Sequence, residues 1–387
     1  MEWITTGDVE AEVWRRILEF ANLDIAFEEI ATRHGSSNNN RTKANYEKQA
    51  KQIRVCLLQA REFFSAASES SLFTSPNHLY YGMLSLASAI MLLRGDGTRS
   101  LDELRKTKSN NHHGLDFTTG INTREASEGF KILENSRVEI LGHGHFRNWY
   151  STLPAREPVY ARTVEQTGET QMIGTRPVGQ RPIADSDSLK HSKRTLLDVL
   201  QFMPDLSMDL WRFKALNGVF SRLNYEVTVT KDSYIHQFAI HAAFGEGGID
   251  AILDKFLIHA QHMDLIEATN FSGNNDSCQV IFRRPITSSF YIEYPDFRRA
   301  SDLSDIMYSR SITLPEIADT YICGYGLSML SRYFPDYWIA CIESHGKAAK
   351  LIERTVGLLL EKFPILALNM MTRHHITIST HRPPWYT

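Results

Sequence analysis

The stretch "RKTKSNNHHGLDF", residues 105–117, sets Arg105, with six residues between, ahead of the pair His112 and His113, which runs directly into Gly114. An arginine fork holds phosphate oxygens in two-point contact and carries its charge at every physiological pH. A histidine titrates near neutrality and so moves protons. The spacing therefore raises a phosphate-cleaving pair, and the alternative is a loop that simply ends a helix.

Three other sets of residues have spacings that matter. In "GHGHFRNW", His143 and His145 stand two apart and would share one face of a strand, where they could begin a metal site. No third ligand follows at a recognisable spacing, so no metal or other cofactor is assigned and glycine-flanked loop histidines are the default. Cys341 and His345, four apart on an expected helix, could pair a thiol with an imidazole, but core packing of the cysteine is favoured. Arg332 and Asp336 could form an ion pair beside Tyr333 and Trp338, with Pro335 marking a bend or a new helix start. The chain contains no P-loop, dinucleotide glycine fingerprint, HExxH or G-x-S-x-G, which disfavours the common nucleotide-hydrolysing and hydrolase classes.

The elements that must position these groups are mostly helical near the two ends. "DVEAEVWRRILEFA" puts Val9, Val13, Trp14, Ile17, Leu18 and Ala21 on one face behind Asp8 as N-cap. The polar stretch 34–43 reads as an exposed loop. After it, Tyr46, Ala50, Ile53, Leu57, Ala60, Phe64 and Ala67 alternate spacings of four and three, a seam that demands a partner helix. "TSPNHLYYGMLSLASAIMLLRG" supplies it, with Ser75 as expected cap, Pro76 at the first helical position and Gly95 past the end. With two to four residues between them, the two should form an antiparallel hairpin. Tyr80 and Tyr81 open the second helix, where rings pack into the core and a hydroxyl reaches a polar partner. "SLDELRK" then makes a short helix leading to Arg105.

Between about 120 and 300 the pattern changes to β-type stretches, "RVEIL", "VYARTV", "YEVTVT", "HQFAIHAAF", "CQVIF" and "SFYIEY". Helical stretches "TLLDVLQFM", "MDLWRFKAL" and "GGIDAILDKFLIHAQ" interrupt them, and 167–188 reads as a mobile loop or a hairpin. Without regular βαβ alternation, an antiparallel sheet is expected. The C-terminal segment returns to helix, with a broad apolar face at Leu351, Ile352, Val356, Leu359, Leu360, Phe363 and Ile365. The expected fold is mainly α with an α+β insertion: helices from 1–120 and 301–387 form one bundle, and 121–300 is the inserted, sheet-containing part.

Bulk properties narrow the class. A chain of 387 residues with 42% apolar and 22% charged residues is a globular protein of two domains, or one carrying a large insertion. Its four cysteines form no CxxC pair and the first residues lack a basic and apolar leader, so a cytoplasmic protein with free thiols is expected. The longest uncharged apolar run, Leu79–Leu93, is 15 residues and short of the roughly 20 needed to span a membrane. A net charge of −3 gives no global nucleic-acid footprint, although Arg41, Lys43, Lys48, Lys51, Arg54 and Arg61 face a single acid, Glu47, along one helix. A solvated helix face is the simpler account of that run.

The stretch Leu79–Phe117, with its tyrosine pair, small residues, apolar run to a glycine and later histidine-glycine, resembles the HEPN superfamily. Together with "GLSMLSRYFPDYWIACI" and "LLEKFPIL" it looks like the YaaC-like protein family of bacteria. The HEPN resemblance implies a bundle of four or five helices and a metal-independent endoribonuclease, or an RNA-binding relative, of antiphage or toxin-type systems. Its signature of an arginine followed by a histidine falls on Arg105 and His112, with Lys106 next to the arginine and His113 either joining the site or pinning the loop. Arginine would hold the scissile phosphate while histidine moves the 2′-hydroxyl proton, in a site assembled from two protomers. RNA would run over Lys51, Arg54, Arg61, Lys106 and Lys108. The competing class is a non-catalytic dimerising scaffold or sensor module that binds a partner protein or small ligand.

Overall fold

Asp8 starts the first helix by accepting from the Ala11 amide at 2.9 Å, which satisfies one of the amides that a helix N-terminus leaves free. The computed structural model describes residues 2–35, 39–167, 170–213, 220–241, 264–270, 277–285, 297–301, 305–308, 312–372 and 376–379. Strand β1 (Glu2–Thr5) leads into α1 (Val9–Glu19), which buries Val13, Trp14 and Ile17. A second helix, α2 (Leu23–His34), capped by Asn22, follows in a stretch to which the sequence assigned no element.

Helix α3 (Asn40–Glu69) begins inside the stretch expected to be loop. Asn39 accepts from the Arg41 amide at 2.9 Å, and adding turns to an established helix costs little. All seven residues of the expected seam are buried. Helix α4 (Ser75–Arg94) is capped at Thr74 rather than Ser75, so five residues, 70–74, separate the two helices. Ser75 Oγ instead donates to the Ala67 carbonyl at 2.7 Å, tying the hairpin at its turn. At the far end Gln49 Nε2 donates to the Gly97 carbonyl at 2.7 Å, so the pair is antiparallel as expected. Gly82 lets the helices close: a Cβ there would lie 2.6 Å from the Phe64 ring.

Helix α5 (Leu101–Arg105) and a 3₁₀ turn at Lys108–Asn110 lead to β2 (Leu115–Thr119). Then come α6 (Thr123–Ala126), α7 (Lys131–Asn135), β3 (Ser136–Ile140), α8 (His145–Tyr150), β4 (Arg156–Thr167), β5 (Thr170–Pro182), β6 (Lys193–Thr195), α9 (Leu196–Gln201) and α10 (Ser207–Phe213). Strands β7 (Phe220–Val229), β8 (Ser233–His241), β9 (Asp264–Asn270), β10 (Ser277–Pro285), β11 (Phe297–Arg299) and β12 (Asp305–Tyr308) complete the middle region. Helices α11 (Glu316–Tyr333), α12 (Pro335–Glu343) and α13 (Lys347–Met371) follow, and β13 (Ile376–Ser379) pairs in parallel with β1.

The described structure is mainly helical, with sheets in its middle and at its joined ends. An antiparallel sheet, β2-β3-β6, lies under the helices, while the larger sheet runs β11-β12-β7-β8-β10-β9. One edge of β7 is shared: β12 takes Phe220–Leu223 and β4 pairs in parallel with Glu226–Val229. Strand β5 folds back antiparallel on β4, so the hairpin reading of that stretch holds. The expected strand "SFYIEY" and helix "GGIDAILDKFLIHAQ" lie outside the described residues.

A continuous apolar core joins α1–α4 to α11–α13 and takes in Phe117, Val138, Ile140 and Leu196 of the small sheet and its helix. Helix α4 is its axis, buried at Leu79, Tyr80, Met83, Leu86, Ile90 and Leu93. The large sheet buries Val159, Leu223, Tyr225, Val227, Phe238 and Phe282 separately. A buried ionic joint connects the two parts, with Arg298 of β11 2.9 Å from Asp319 of α11. Lys362 of α13 bridges Glu316 at 2.5 Å and also Asp205. No described helix is long and apolar enough to cross a membrane.

Candidate functional site

Two glycines at positive φ bring the site's two histidine-bearing loops into contact. Gly114 (φ +82°) and Gly144 (φ +96°) adopt left-handed conformations that side-chain-bearing residues avoid. They also touch: a Cβ at Gly144 would fall 2.6 Å from the Cα and amide nitrogen of Gly114. The contact lets the His145 amide donate to the His112 carbonyl and the Phe146 amide to the His113 carbonyl, each at 2.8 Å. "HHG" and "GHGH" are thus halves of one structure, a pairing that neither motif reveals alone.

These loops, α4 and α5 line an open cavity of about 300 Å³. Arg105, His112 and His113, singled out by spacing, all line it. Sequence reasoning missed Ser88 from α4 and Asn110, Asn111 and Asn148, and took His145 for a loop histidine or a metal candidate. Leu84, Met91, Leu101 and Leu104 form its apolar wall. Asn148 Nδ2 donates to Asn110 Oδ1 at 3.0 Å and Asn110 Nδ2 to the Leu104 carbonyl at 2.9 Å, fastening one side. Arg105 is exposed and forms no hydrogen bond or ion pair among the described residues.

The histidines differ in environment. His112 is exposed, with its ring edge-on to His143 at 5.5 Å. His113 keeps an exposed edge, but its Nδ1 lies 2.8 Å from the buried Tyr80 hydroxyl and its ring packs against Tyr325. Burial, followed by the charges of Arg332 and His112, holds the His113 pKa below the usual histidine value. His145 Nε2 lies 2.9 Å from Ser88 Oγ and its Nδ1 3.5 Å from the Tyr321 hydroxyl. Burial, with a smaller contribution from His113, pushes its pKa down to about 4. At neutral pH His145 is therefore an uncharged ring, and the Arg105 guanidinium supplies positive charge to the cavity.

The default loop reading holds for His143, which lies in a bend, whereas His145 opens α8; the described residues contain no group of three or more metal-binding side chains. Arg332 donates to the Tyr81 hydroxyl at 2.5 Å rather than pairing with Asp336. Cys341 is buried, its thiol pushed up to about 12, while His345 lies beyond the helix end at φ +48°. Pro335 does start a new helix.

Of the basic residues, Arg54 donates to the Ala21 carbonyl at 3.3 Å. Arg61 pairs with Glu10 at 2.9 Å and lies over the Trp14 ring at 5.1 Å, tying α3 to α1. Lys51 is exposed on α3, and Lys106 and Lys108 are exposed beside the cavity-lining segment.

Fold and site together define a helix-rich protein with a sheet-bearing middle region and a histidine- and asparagine-lined cavity against its central helix. The chain belongs to the YaaC-like protein family, whose family model matches residues 25–371. No curated protein and no solved structure matches it.

Proposed function

We propose that the helical part is a HEPN-like domain and that the cavity cleaves or binds RNA, as a component of an antiphage or toxin-type system. The observation that carries this reading is the convergence of Arg105, His112 and His113 on one cavity, with Arg105 in no ion pair among the described residues. A guanidinium beside neutral imidazole suits a phosphodiester with a neighbouring hydroxyl. Arg105 holds the non-bridging oxygens as charge builds on them. A histidine takes the 2′-hydroxyl proton, the 2′-oxygen bonds to phosphorus, and the bond to the 5′-oxygen breaks. That oxygen leaves with a proton, giving a 2′,3′-cyclic phosphate and a 5′-hydroxyl end without an external water, metal or redox partner. Exposed Lys106 and Lys108 guide the strand, and a dimer offers two such cavities to one RNA.

The test is incubation of end-labelled RNA with the full-length protein in the presence of a chelator. Cleavage to cyclic-phosphate ends is expected, with Arg105→Ala and His112→Ala each reducing it by roughly 10²-fold or more. Equal cleavage by the variants, or none by the wild type as a dimer or with its partner, overturns the catalytic reading.

A second reading is a non-catalytic dimerising scaffold or sensor. It is favoured by the cavity's volume of about 300 Å³, at the small-molecule end of binding pockets, and by its apolar wall. On this reading, calorimetry detects a mononucleotide bound without turnover and weakened by Arg105→Ala.

A further inference from the structure

Five polar side chains run in series from the cavity into the core and back. His113 Nδ1 lies 2.8 Å from the Tyr80 hydroxyl, which is 3.5 Å from the Tyr321 hydroxyl. Tyr321 lies 3.5 Å from His145 Nδ1, and His145 Nε2 is 2.9 Å from Ser88 Oγ. The series ends where Ser88 Oγ donates to the Leu84 carbonyl at 2.9 Å, one turn back along α4. Residues 33, 57 and 241 positions apart are joined in this way.

That last bond sets a direction. A serine has one proton; giving it to the Leu84 carbonyl, which can only accept, lets His145 donate to the Ser88 oxygen as well, two bonds where donation to the ring would leave one. His145 Nε2 must then carry the ring proton. Because this ring is uncharged, its Nδ1 is left with a lone pair whose donor within reach is Tyr321. The Tyr321 hydroxyl is buried and gives its proton to Nδ1, which opens its oxygen to the Tyr80 hydroxyl. Tyr80 in turn donates to Tyr321 and accepts from His113. The reverse direction at His113 leaves the Tyr321 oxygen without a donor, one bond fewer in a buried site.

We propose that this one-way chain fixes His113 as its Nδ1–H tautomer and presents the Nε2 lone pair to the cavity as a proton acceptor. Tyr80, Tyr321, His145 and Ser88 are positioning residues for it. The ligand must then place a hydrogen-bond donor beside the anion that Arg105 holds, as a ribose hydroxyl does beside a phosphate. In the cleavage written above, the hydroxyl proton goes to His113 Nε2, and His112 returns one proton to the leaving oxygen. That chemical use rests on the RNA reading; the tautomer itself does not.

The experiment is a long-range nitrogen–proton correlation spectrum of full-length protein labelled with ¹⁵N at histidine, recorded near neutral pH without ligand. His113 is expected to show a pyrrole-type Nδ1 and a pyridine-type Nε2, and His145 the opposite. Ser88→Ala removes the terminal acceptor, so both histidines should exchange these assignments. Tyr321→Phe serves as a second variant: it cuts the chain midway, and His113 should lose its preference while His145 keeps its Nε2 proton. A wild-type His113 protonated at Nε2 overturns the proposal, as does a His113 signal unmoved by both substitutions. Expected tautomers in a protein that cuts no RNA would sink the nuclease reading alone, whereas wrong tautomers in an active nuclease would sink the relay alone.

Discussion

Replacing Gly144 with alanine tests whether the loop contact builds the cavity. Gly144 has φ +96° and ψ −173°, a region populated essentially by glycine alone, and forcing another residue there costs about 1–3 kcal/mol. The new methyl group would also sit 2.6 Å from the Gly114 backbone and 2.8 Å from the His112 carbonyl oxygen. These are main-chain atoms with no rotamer to change, and such overpacking costs about 1–3 kcal/mol more. If the loops part to make room, the bonds from His145 to His112 and from Phe146 to His113 lengthen, at about 1 kcal/mol each. A loss of roughly 3–5 kcal/mol is expected in urea unfolding. Gly357 is the control, because it lies inside α13 with nothing within 4 Å of a Cβ. Gly357→Ala should stabilise by about 0.5–1 kcal/mol. A Gly144→Ala cost below about 1 kcal/mol would refute the claim that the two loops are locked through their glycines.

Acid should destabilise the protein through His145, whose pKa falls from 6.5 to about 4 on folding. Between those values the unfolded chain binds the extra proton, so stability is fully present above pH 6.5 and drains as pH falls toward 4. The loss between pH 7 and pH 5 should be about 2 kcal/mol in urea titrations, and His145→Gln should flatten it. Asp319→Ala leaves Arg298, 3% exposed on its side chain, without its partner at 2.9 Å. A cost of about 3–5 kcal/mol is expected by the same assay, and a neutral result would mean that the joint is solvated. Cys56 and Cys341 are buried, with thiols pushed up to about 11 and about 12, and Cys323 is buried too. A thiol reagent at neutral pH should modify these three only after denaturant is added, and rapid modification of the native protein would contradict their packing.

The periodic helices were readable because their signal is local. The seam from Tyr46 to Ala67 and the cap at Asp8 depend on residues three or four apart, and the structure buries or bonds them as the spacing requires. Helix α2 escaped because its apolar residues do not form a strong stripe: it buries Ala26 and Ile30. The parallel pairing of β1 with β13 escaped for another reason, since four-residue strands carry little pattern and their partners stand at opposite ends of the chain.

The candidate site divides along the same line. The sequence by itself determined the apolar helix that becomes the core's axis, the interval from Arg105 to His112, and the glycines that follow or separate the histidines. Only tertiary structure decided that "HHG" docks on "GHGH", that Ser88 from α4 and His145 from α8 join the cavity, and that Tyr80 and Tyr321 connect its histidines. It also decided that Arg61 packs on Trp14 and pairs with Glu10, while Arg105 lines the cavity. Periodicity reports which face of one element avoids water, whereas contact between residues 57 or 241 positions apart depends on how several such faces are packed together.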